Sequence, residues 1–381
     1  MKTNYLMGVV MTSVLAAGMS ACSDNGDEPG AGQDVKTASG FYTVNGGNMS
    51  GNIPASITSY SFDSGEGTPA LEDAFYKANG IALGDGAQQA VTVGDNMFIA
   101  MYSSNLIWAV DPQTLTVKGS IRPEGNAMSP RYMAEANGKL YVSMYTGYVC
   151  EIDPESLTVT RTVQVGPNPE QLAVAGNRLV VACSDGMNYM GSSTDGVPYG
   201  DSCLSFIDLS TFTATNLKDL DKILNPTYVS SNGSDVFVVC MGVYGDPQHP
   251  NQVVKVKGND VENVCPGTFI DLKDNDLYVI YSQSGGTEDI TYKKYDATSL
   301  TEKGDFAKRR QGTDSWIDVP NGVFVNPYGD EVVVLSYVMG SAGWGLYREP
   351  CYANVYSAST GDFQNRVECG VGACGVTFIG K

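Results

Sequence analysis

One unit recurs along this chain, and its copies are out of phase with the chain's own ends. That offset constrains the fold more than anything else in the sequence. The clearest copy spans residues 138–159, GKLYVSMYTGYVCEIDPESLTV. It opens after an Asn137-Gly138 turn, alternates through Leu140, Tyr141, Val142 and Ser143, turns near Thr146-Gly147, and returns from Tyr148 to Ile152. Asp153-Pro154-Glu155-Ser156 then stops it, because the aspartate side chain and the proline both favour a tight turn. Two β-rich runs joined by a Gly-containing turn predict a hairpin.

Counterparts of the Leu140 strand start at Phe41, Met97, Leu179, Val236, Leu277 and Val332. The Asp153 turn recurs at Asp111, Asp208 and Asp296, with worn copies near Asp63 and Ser357 and Lys257-Gly258-Asn259 in place of the fifth. Seven units, with 43 residues from Met97 to Leu140, suit a β-propeller. A further short strand precedes most copies: QQAVTV, RYMAEA, QLAVAG, TYVSS, TFIDL and VFVNP. The first copy, at Phe41, has none, whereas residues 374–379 form such a strand with no copy after it. The expected fold is therefore all-β: a seven-bladed propeller of four-stranded antiparallel blades. The C-terminal strand would complete blade one and remove two open sheet edges. A sandwich or an open sheet array does not explain a repeat divided between the termini.

The 381 residues carry a net charge of −19, so nucleic acid and anionic membrane surfaces are poor partners. A single histidine, His249, argues against a His-rich zinc site and leaves a serine or cysteine triad one candidate base. Asp271, Asp274 and Asp276 lack the glycine and distant glutamate of a calcium loop and read as a turn. Residues 1–21 have the pattern of an export signal: Lys2, an apolar stretch over 5–17 too short for a comfortable membrane span, then small residues. Met19-Ser20-Ala21 before Cys22 resembles a lipobox, which makes Cys22 the expected lipid anchor. The acidic run 23–28 resembles a surface-export signal of Gram-negative gut bacteria; a solvated tether is the other reading. Residues 22–38 are the expected tether and 39–381 the propeller, on an outer-membrane lipoprotein facing outward or, alternatively, the periplasm. Eight cysteines remain, and Cys183 with Cys203, or Cys369 with Cys374, are candidates to bridge.

With strands lettered A to D from the channel outward, parity puts the B–C and D–A connections on one face. The long B–C loops are 184–202, 242–251 and 338–350, and they carry Tyr189, Tyr244 and Trp344. Shorter B–C turns add Tyr102, Tyr145 and Tyr148. The D–A connections deliver Arg131, Tyr132, Glu170, Gln171, Tyr228 and Trp316 to the channel mouth. Aromatic bodies with a few fixed polar groups suit a pocket for a sizeable, partly apolar ligand. No residue set points to catalysis or to a metal.

The LYVS…IDPxTLxV units, with Pro130-Arg131-Tyr132-Met133 and Pro169-Glu170-Gln171-Leu172 entering inner strands, resemble the YncE-like seven-bladed propellers. The lipobox, the acidic tether and the opening GFYTVNGG at residues 40–47 narrow the resemblance to surface lipoproteins of the BtuG type, found beside TonB-dependent transporters. The resemblance implies a monomeric, non-enzymatic binding protein. It would capture a small molecule, such as the corrinoid cobalamin, and pass it to an outer-membrane transporter. The corrinoid would be a ligand, not a catalytic cofactor. Alternatives are a propeller lyase or hydrolase using His249, and a protein-docking or surface-layer scaffold.

Overall fold

A computed structural model describes residues 37–63, 70, 72–191, 196–282, 290–308, 318–341 and 345–380. The chain folds as a seven-bladed β-propeller. Six blades are four-stranded antiparallel sheets in simple meander order. The described residues of blade one give three strands, Ser56–Ser61, Ala38–Asn45 and Ala373–Gly380. Beside the outermost of these packs a short helix, Ala74–Asn79, whose buried Phe75 lies 5.6 Å from the Trp108 ring of blade two.

Closure is by the C-terminal strand, as the offset repeat predicts. Ala373–Gly380 pairs antiparallel with Ala38–Asn45, bringing Phe41 opposite Phe378 and Thr43 opposite Val376. The inner strands then form an unbroken ring: Ala87–Val93, Pro130–Ala136, Pro169–Ala175, Pro226–Ser231, Phe269–Lys273, Asp318–Val325 and Ala373–Gly380, each touching the next and the last touching the first.

The second strands explain why the LYV pattern is so apolar. Asn96–Met101, Lys139–Met144 and Arg178–Cys183 are buried at every position after the first, because both sheet faces pack against neighbouring blades. One such layer joins Phe98 and Ile107 of blade two to Leu140 and Val142 of blade three. Outer strands have one edge in water, and Thr158–Gln164 is correspondingly polar and exposed.

The aspartate turns are self-capped. Asp111, Asp153, Asp208 and Asp296 each accept hydrogen bonds from the backbone N–H groups two and three residues on. Their carboxyls are held below the usual range, chiefly by those N–H groups and, for Asp153, first by the Lys139 ammonium. Asp274 sits at φ +53 in the Lys273–Asp276 turn, as the sequence suggests, whereas Asp271 lies not in the turn but within the inner strand Phe269–Lys273. All eight cysteines among the described residues are free thiols; Cys183 and Cys203 lie opposite each other across strands without a bond between them.

Candidate functional site

The face carrying the B–C and D–A connections is built by a local irregularity in the inner strands. Ladder register slips just after Ala87, Pro130, Pro169, Pro226 and Pro320, where each inner strand leaves the mouth. A bulge re-aims the side chains beside it. Here Arg131 and Glu170, each just after a Pro, meet on the rim, while the residues that follow them, Tyr132 and Gln171, line the axial cavity with Tyr228.

Inner strands have no neighbour on their channel side, so their N–H groups need other acceptors. Side chains from alternate blades supply them. Gln89 Oε1 accepts from Met133 N (2.6 Å), Gln171 Oε1 from Val229 N (2.9 Å), and Asp271 Oδ2 from Val325 N (2.8 Å). Gln89, Tyr132, Gln171, Tyr228 and Asp271 thereby line an axial cavity of about 200 Å³. Burial pushes the Tyr132 and Tyr228 hydroxyls well above their ordinary value. It lifts the Asp271 carboxyl to about 6, against the bonds from Val325 N, Leu272 N and Ser230.

On the rim of blades two to four the structure gathers five predicted residues. The Arg131 guanidinium pairs with Glu170 and stands 4.8 Å from the Tyr145 ring centroid, 5.3 Å from Tyr102 and 5.7 Å from Tyr132. Tyr102 and Tyr145 meet edge to face at 5.5 Å. Glu170 also accepts from the Ser184 hydroxyl at 3.3 Å. Burial pushes the Glu170 carboxyl up, with the Arg131 charge opposing, and pushes the Tyr145 hydroxyl to about 12. Arg131 Nε is buried with no partner.

Across the mouth, blades five to seven frame a second and larger cavity, of about 450 Å³. Asn225, Asn251, Ser282, Asn321, Tyr244 and Tyr337 are among its walls, and Tyr199 reaches it from blade four. Tyr337 meets Tyr347 edge to face at 4.8 Å. No residue described in this lining carries a charge. The Ser282 hydroxyl is buried and unpartnered, a loss of about 1–3 kcal/mol wherever nothing enters to satisfy it.

Of the predicted residues that are described, Tyr244 lines this larger cavity. Tyr148 instead packs against the core between blades two and three. Tyr189 stands free on the rim, 60% exposed, with Met187 at 72% and Met190 at 73% nearby in the blade-four loop. Trp316 and Trp344, like Cys22, lie outside the described residues. The asparagines and Ser282 were missed because they look like ordinary turn residues. Asn225 did carry a signal: Asn168-Pro169 and Asn225-Pro226 enter inner strands alike, both asparagines at positive φ.

No protein-family model matches this chain, and no curated protein matches it. Solved structures resemble it in fold. Hydrazine synthase of Kuenenia stuttgartiensis superimposes with a TM-score of 0.55 at 13% identity, over 76% of this chain and 88% of that one. A computationally designed protein, Ika8, gives 0.48 at 11% identity, over 77% and 90%. The first likeness is one of architecture.

Proposed function

We propose that this propeller is a non-enzymatic binding protein that captures a small molecule on the face bearing the B–C loops. The observation that carries the reading is the uncharged 450 Å³ cavity at the channel mouth, a size usual for small-molecule sites, bordered by exposed aromatic and methionine side chains. Of thirteen large apolar side chains that stand most exposed among the described residues, nine lie on this face, so solvent-facing apolar surface collects where the cavity opens. His249 supports the same reading. It is half exposed, and its Nδ1 bonds Asp246 at 2.8 Å within its own loop, with no bond to a serine or cysteine among the described residues.

The export pattern and Cys22 support a lipid anchor at the outer membrane, and in this reading the ligand is handed to a TonB-dependent transporter. Within the resemblance noted above, a corrinoid is the first ligand to try. Calorimetric titration of the intact chain in detergent with cyanocobalamin is the test. One-to-one binding weakened by Tyr244→Ala supports capture on this face. Binding unaffected by rim substitutions moves the ligand elsewhere, and no binding rejects the corrinoid.

A further inference from the structure

We infer that the cavity between blades five and seven is a recognition subsite for an uncharged ring compound whose edge donates hydrogen bonds. Either the hydroxyls of a neutral saccharide or the N–H groups of peripheral primary carboxamides meet that description. The inference rests on the small-molecule reading above and adds the chemistry by which the site selects.

Three asparagines set it. Asn225 Nδ2 donates to Gly242 O at 3.3 Å, Asn251 Nδ2 to Thr268 Oγ1 at 3.2 Å, and Asn321 Nδ2 to Ala373 O at 2.7 Å. Each amide nitrogen is thus committed to the protein, and each Oδ1 is left without a donor among the described residues, on the wall of one cavity. The unpartnered Ser282 hydroxyl, only 6% exposed, belongs to the same wall. Acceptors in excess call for a ligand that brings donors.

Among the described residues the lining carries no charge of either sign. A carboxylate or phosphate would meet carbonyl oxygens there with no described cation to pair it, in a chain of net charge −19. An ammonium would find no carboxylate among the described lining residues. Rings are favoured because Phe269, Tyr337 and Tyr347 offer flat apolar surface next to those acceptors. The contrast with Arg131 is chemical: that cation already has Glu170 and lies on the other side of the mouth.

The test is calorimetry on the intact chain in detergent with four probes. These are cyanocobalamin, its derivative with one peripheral carboxamide hydrolysed to a carboxylate, a neutral glucose hexasaccharide, and a galacturonate hexasaccharide. The expected result is that one neutral probe binds one-to-one and its acidic counterpart binds at least tenfold more weakly. Asn251→Ala and the exposed Tyr244→Ala are each expected to weaken the neutral probe about tenfold, while Thr114→Ala on the opposite face leaves it unchanged. Equal binding of the acidic and neutral forms overturns the inference, as does neutral binding indifferent to both variants. Heat from neither neutral probe overturns the small-molecule reading itself, and this subsite with it.

Discussion

Two halves of one face have solved the same packing problem in opposite ways. Around blades two to four the mouth is sealed: Arg131 and Glu170 neutralise each other and Tyr102, Tyr132 and Tyr145 surround the guanidinium. Around blades five to seven it is open, its described lining is neutral, its asparagine oxygens have no donor among the described residues, and the Ser282 hydroxyl is buried without a partner. A buried ion pair matched charge for charge has little net charge left to give a ligand, and here only Arg131 Nε stands without a partner. Unmet acceptors in a neutral cavity still have hydrogen bonds to offer. The contrast separates a half that holds the ring together from a half that is free to bind.

If that division is right, substitutions in the sealed half should cost stability and those in the open half should cost binding. The largest effect is expected from Arg131→Met, which leaves Glu170 buried without its cation. A loss of about 3–5 kcal/mol in urea unfolding is predicted, largely recovered in the double variant Arg131→Met/Glu170→Leu. A loss below about 1 kcal/mol would show that this half is not structural.

Next in size is a pH effect from Asp271, on the axial floor between the halves. Its folded value of about 6 lies above the unfolded carboxylate's, so its contribution is present at low pH and disappears as pH rises through about 6. The urea midpoint of the wild type, relative to Asp271→Asn, should therefore fall between about pH 4 and about pH 7. A flat difference would mean that the three hydrogen bonds to this carboxylate balance its burial, and a rising one that they outweigh it.

Tyr145→Ala should cost about 1–2 kcal/mol, from the lost ring face under Arg131 and the lost edge of Tyr102. Asn251→Ala should change stability by less than about 1 kcal/mol, since only its bond to Thr268 and a weak one to the Met241 sulfur are lost. Tyr244→Ala, at a position 72% exposed, should fall within about 0.5 kcal/mol in thermal or urea unfolding. An open-half variant that unfolds as readily as Arg131→Met would erase the distinction.

Much of this architecture was legible in the chain itself. The seven LYV strands, their aspartate turns and the C-terminal closing strand all stand where the repeat puts them, since local turn chemistry and burial on both faces write directly into sequence. The rim was legible in part. Parity brought Arg131, Glu170, Tyr102, Tyr132 and Tyr145 to one face, and the structure joins them into one cluster. Tyr148, the first residue of a third strand, packs on the core between blades two and three, since that position can point into the blade sandwich as readily as toward the mouth.

The sequence by itself determined the number of blades, their order, the closing strand and the face on which the long loops emerge. Those follow from period, turn residues and parity, which are properties of neighbours along the chain. Only the tertiary structure decided that the charged pair would be spent within the protein and that Asn225, Asn251, Ser282 and Asn321 would share one neutral wall. These four residues come from three blades and are separated by as many as 96 positions. Their proximity is set by ring closure, which brings the mouths of blades five, six and seven side by side. No local pattern records which carboxamide oxygen is left without a donor once those blades have packed.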